Sequence, residues 1–92
     1  MAEIKSIEVF SEASNMAIVR MPGRRFPGMV IQGDSLSIFV SLAEQIRQKT
    51  PRGPAHEEAD ELSRLLNERL AHYQRVLSEN GIELPYVRKP KG

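Results

Sequence analysis

After residue 33 the apolar residues recur at helical spacing in two long stretches, separated by Thr50-Pro51-Arg52-Gly53-Pro54, and no such period occurs before that point. This change of period limits the fold to a β-rich first third followed by a helical hairpin. In the first stretch Leu36, Phe39, Val40, Ala43 and Ile46 form one stripe, which Ile38 and Leu42 widen on its flank. Asp34 and Ser35 offer side-chain oxygens to the free N–H groups at its start, and Arg47 and Lys49 suit the negative end of the dipole. Pro51 disfavours helical geometry at Thr50, so the helix should stop near Lys49. The second helix is expected from about Pro54, at its first position, to Glu79, with Glu57, Glu58, Asp60 and Glu61 toward its positive end. Its apolar face is Ala59, Leu62, Leu65, Leu66, Leu70, Tyr73, Val76 and Leu77. Asn80-Gly81 should end it in a Schellman turn, with Ile82 returning toward Leu77.

Before residue 33 the pattern is of strands. Ile4 to Phe10 and Met16 to Met21 flank the small, polar or acidic run Ser11 to Asn15, which reads as a hairpin. Met29 to Gln32 is a third short run, antiparallel to the second, after a loop in which each of Pro22-Gly23 and Pro27-Gly28 suits the centre of a type II turn. Ile82 to Val87 is a candidate fourth strand, confined to an edge by Pro85. The expected fold is α+β in two layers, an antiparallel three- to four-stranded sheet packed on a two-helix hairpin, ordered β-β-β-α-α with an optional last β. Residues 1–87 are expected as a single domain, and Arg88-Lys89-Pro90-Lys91-Gly92 as a basic, flexible tail. At ~1.5 Å per residue the second helix would run ~39 Å, against ~23 Å for a seven-residue strand. The overhang and the leftover apolar flanks suggest a homodimer.

Composition narrows the function classes. The 92 residues carry 13 basic and 12 acidic side chains, a net charge of +1, so no global field marks a nucleic-acid or membrane binder. The absence of cysteine excludes disulfides, thiolate metal sites and a cysteine nucleophile. The start Met-Ala-Glu-Ile-Lys-Ser has no basic segment leading into an apolar one, and no 18-residue apolar run occurs, so a cytoplasmic protein away from membranes is expected.

Three constellations bear on chemistry. Gly33-Asp34-Ser35-Leu36 spells the signature of the GDSL hydrolases, in which the serine is the nucleophile. Those enzymes need an Asp-x-x-His, but Gly53 stands three residues before His56 and Arg69 three before His72. A serine without a positioned base stays weakly nucleophilic, so the letters are read as coincidence and Asp34 or Ser35 as helix caps. No catalytic residue, cofactor or metal site is therefore expected; His56 and His72 are too far apart on one helix to share an ion. The loop Pro22 to Gly28 is the most distinctive stretch, since its Pro-Gly pairs hold Arg24, Arg25 and Phe26 together. With Arg20 these form a candidate partner-binding set, arginine for carboxylate or phosphate and phenylalanine for a pocket or a base. Arg24 or Arg25 combined with the N–H groups at Gly33 to Ser35, those of Gly33 and Ser35 above all, makes a candidate anion site, for which Asp34 would compete.

The run Ala17-Ile18-Val19-Arg20-Met21-Pro22-Gly23-Arg24-Arg25-Phe26-Pro27-Gly28, continuing through Val30-Ile31-Gln32-Gly33-Asp34-Ser35-Leu36, resembles a group of small bacterial proteins known only as a domain of unknown function. The resemblance covers about the first half of the chain and implies a bacterial source, with no activity to carry over. The leading expectation is a non-enzymatic interaction protein, a homodimer that binds another protein through Arg20, Arg24, Arg25 and Phe26. The alternative is a nucleic-acid or anion-binding module using the same loop and the tail. Residues 1–33 sum to +1 and residues 82–92 to +2, whereas residues 54–81 sum to −3.

Overall fold

The structure, a computed structural model, describes residues 2–87. The basic tail expected at Arg88, Lys89 and Lys91 lies outside the described residues. The fold is α+β: β1 (Glu8–Ser11), β2 (Ile18–Arg20), β3 (Gly28–Met29), α1 (Gly33–Lys49) and α2 (His56–Glu79). The chain forms two compact units, Met1–Gln32 with the sheet and Gly33–Gly92 with the helices.

In the first unit the three strands pair antiparallel in the order β1-β2-β3. They are shorter than their apolar runs suggest, for reasons visible in the register. Val9 pairs with Val19 but Ser11 with Ile18, so Phe10 is the extra residue of a β-bulge and the ladder breaks there. At the other end Gly28 pairs with Val19 and Met29 with Ile18, so β3 begins one residue earlier than its apolar run and ends sooner. One further bond, from Val30 N–H to the Ala17 carbonyl at 2.8 Å, continues the pairing. Asn15 adopts φ 63° in the turn that joins β1 to β2, where Met16 N–H donates to the Ala13 carbonyl. Among the described residues of this unit, Val19 is the buried apolar one.

In the second unit α1 packs on α2. Gly33, Leu36, Val40 and Ala43 are the buried residues of α1, and Ala59 and Ser63 those of α2. Ala43, Ala59 and Ser63 are all small, which lets the helices approach closely near their connection. At the opposite end Gly33 lies against Tyr73: a Cβ on Gly33 would overlap the Tyr73 ring. The seam is thus narrower than the apolar stripes imply, and Phe39 and Ile46 of the α1 stripe remain exposed.

α2 begins at His56 rather than Pro54, because His56 N–H first closes a turn onto the Gly53 carbonyl at 3.2 Å and Ala55 becomes the N-cap. The His56 ring nitrogen Nδ1 also lies 2.9 Å from the Thr50 carbonyl, tying the connection to the start of α2. The C-terminal turn is the expected Schellman arrangement: Ile82 N–H donates to the Leu77 carbonyl at 2.9 Å and Gly81 N–H to Ser78 at 3.2 Å, with Gly81 at φ 66°. Ile82 to Val87 is not a strand. The turn sends this segment back along α2, where the Tyr86 hydroxyl accepts a hydrogen bond from Gln74 Nε2 at 3.0 Å.

Candidate functional site

The β2–β3 loop is built on one genuine type II turn. Arg24 N–H donates to the Met21 carbonyl at 3.1 Å, and Gly23, third of the four residues, has φ 78°, which a side chain would strain. The second Pro-Gly pair does not turn in this way, because Gly28 is already paired with Val19 in the sheet. Arg24, Arg25 and Phe26 are consequently held between a fixed turn and a strand, which limits the conformations they must give up on binding.

Arg20 anchors that loop. It stands opposite Glu8 in the β1–β2 ladder, and its Nε and Nη2 each donate to a Glu8 carboxylate oxygen at 2.8 Å. Its Nη1 donates to the Arg25 carbonyl at 3.3 Å, and its guanidinium lies 5.4 Å from the centre of the Phe10 ring. The hydrogen bonds from Arg20 hold the Glu8 carboxyl below its ordinary value, and Glu8 in turn raises the Arg20 value. Of the four residues singled out in the sequence, Arg20 is therefore engaged inside the sheet unit.

Arg24 and Arg25 have no carboxylate partner among the described residues. Phe26 is 73 % exposed, with the Arg25 guanidinium 5.2 Å from its ring centre. Beside them opens a cleft of about 600 Å³ lined by Val19, Met21, Phe26, Met29 and Val30 together with Arg24 and Arg25. Its walls are apolar and rich in methionine, a side chain that adapts to irregular partners. Such a surface can seat an apolar anchor while both guanidiniums take up carboxylate or phosphate oxygens. The apolar runs of the sequence do not show this cleft, because its walls come from two strands as well as the loop.

The start of α1 is occupied by its own groups. Asp34 Oδ1 accepts the Ser35 N–H at 2.8 Å, and Gly33 is buried against Tyr73. Asp34 thus takes the place that a bound anion would need. Neither histidine is placed as a base for Ser35: His56 is engaged with the Thr50 carbonyl, and His72 accepts from Arg75 Nη2 at 2.8 Å. Among the described residues no group of three or more His, Asp or Glu side chains is arranged to hold a metal ion, and no helix is long and apolar enough to cross a membrane.

A polar cluster on the α1–α2 seam was missed in the sequence. The Glu44 carboxylate accepts from Arg47 Nη2 at 3.0 Å, from the Ser63 hydroxyl and from Asn67 Nδ2 at 3.2 Å. The Arg47 hydrogen bond, followed by that of Ser63, holds the Glu44 carboxyl below its ordinary range. Ser63 is only 2 % exposed. Its hydroxyl, with the Glu44 carboxylate and the Asn67 amide, joins the two helices. Ser63 sits four residues after Ala59, a spacing of small residues that could have revealed the close approach.

Neither the curated proteins nor the solved structures include a match to the chain. One family model does match, over residues 2–86, well past the first half of the chain that carries the resemblance. The chain belongs to the family of unknown function DUF6959.

Proposed function

We propose that the chain is a non-enzymatic interaction protein, acting as a homodimer in the bacterial cytoplasm, whose β2–β3 loop binds another protein. The observation that carries this reading is the pairing of an open apolar cleft with Arg24 and Arg25, which lack carboxylate partners within the described residues. The partner chemistry that fits is an apolar side chain flanked by carboxylates. Phe26 is the exposed aromatic wall of the cleft that receives this side chain, Arg24 and Arg25 supply charge and orientation, and Arg20 positions the loop through the Arg25 carbonyl.

A second reading keeps the same loop but assigns it nucleic acid, because an exposed Phe26 beside two guanidiniums also suits base stacking and phosphate contact. The two readings separate in one experiment. The chain is immobilised and challenged with lysate of its source cells, with and without nuclease treatment, at low and moderate salt, beside an R24E/R25E variant. A protein retained by the wild type through moderate salt and lost by at least tenfold from the variant is the expected result. Retention that disappears with nuclease treatment, or weakens steeply with salt, would replace the leading reading with the second. Retention equal for wild type and variant would remove the loop from both.

A further inference from the structure

The homodimer in the reading above has no seam assigned to it, and the outer flank of α1 supplies one. Ile38, Leu42 and Ile46 are spaced four residues apart and are 60, 51 and 49 % exposed, while Leu36, Val40 and Ala43 are buried. The exposed three form a single ridge on the helix. The ridge is symmetric about Leu42, and residues 35–43 around its first half carry no charge. The helix ends are charged and of opposite sign, with Asp34 in the first turn and Arg47 and Lys49 in the last.

We propose that α1 is the dimer seam, with α1 of a second copy of this chain lying antiparallel across it and the two-fold axis passing at Leu42. A two-fold contact is self-complementary, so a residue at one position meets its mirror position on the partner. About Leu42 that rule places Ile38 against Ile46 of the second copy and Leu42 against Leu42. It also sets Ser35 level with Lys49, so that Asp34 lies within ~1.5 Å of Lys49 along the helix axis. Acidic ends thereby face basic ends at both edges of an apolar centre. A parallel arrangement would instead set Asp34 beside Asp34 and Lys49 beside Lys49.

The proposal rests on the homodimer reading, and its test separates the two. Sedimentation velocity of the full chain from about 5 to 500 μM, with L42E and L42K variants alone and mixed, measures self-association. Leu42 is exposed in the helical unit, so both variants should keep the helical circular dichroism of the wild type. The expected result is a wild-type dimer, self-association weakened at least tenfold in each variant alone, and dimer restored when L42E and L42K are mixed. A wild-type dimer that either variant leaves intact would place the seam elsewhere and leave the homodimer reading standing. A wild type that stays monomeric throughout would overturn both. Loss in each variant without recovery on mixing would rule out the two-fold at Leu42.

Discussion

Single residues decide more of this molecule than their apolar or polar character suggests. Gly33 was read as a donor for an anion, yet its role is to leave room for the Tyr73 ring. The sequence shows a glycine before a helix, but only the antiparallel hairpin brings residue 73 to it. G33A should therefore cost about 1–3 kcal/mol in urea denaturation, because the added methyl must displace the ring. The penalty should shrink by more than half when Tyr73 is also changed to Ala, and an unchanged penalty in the double variant would mean the two residues are not in contact. Gly23 and Gly81, by contrast, were legible from sequence alone. Each follows a local rule that needs no tertiary partner, a type II turn in one case and a Schellman cap in the other.

At the scale of elements, the helices were legible to within two residues because their signals are local: Asp34-Ser35 before a stripe, Pro51 after it, Asn80-Gly81 at the end. The three strands of the sheet were legible in place but not in extent, and the candidate fourth strand at Ile82 to Val87 does not form. A bulge at Phe10 and the pairing of Gly28 with Val19 are set by register between strands, which apolar runs do not encode. The same limit applies to the Glu44, Ser63 and Asn67 cluster, whose members lie on different helices. Its energetics are open to a pH test. The Glu44 carboxyl sits below its ordinary value of 4.5 in the folded chain, with the Arg47 and Ser63 hydrogen bonds as the main causes. A carboxyl lowered on folding adds stability that is fully present above its unfolded pKa and is lost as pH falls through the folded one. The helical signal should therefore lose denaturation stability as pH drops below 4.5, and E44Q should flatten that acid limb. At neutral pH the same change should cost only about 1 kcal/mol, since the carboxylate is partly exposed and the amide oxygen still accepts from Ser63. An acid limb as steep in E44Q as in the wild type would mean that other carboxyls govern it.

For the whole molecule, the sheet unit and the helical unit carry separate surfaces. One is a loop with an apolar cleft and two arginines, the other a mirror-spaced ridge on α1. The loop residues were legible because Pro-Gly pairs and adjacent arginines stand out in a sequence, whereas the cleft was not, since its walls come from β2 and β3 as well as the loop. Membership of DUF6959 ties residues 2–86 to one family and brings no activity with it, so the function rests on the surface itself. If this loop meets a protein, a photo-crosslinking amino acid at Phe26 captures that protein in place. With p-benzoylphenylalanine there and irradiation of the source cells, the account predicts a discrete protein adduct that resists nuclease and vanishes when Arg24 and Arg25 are changed to Glu. A nuclease-sensitive adduct, or the same adduct with both arginines replaced, would contradict it.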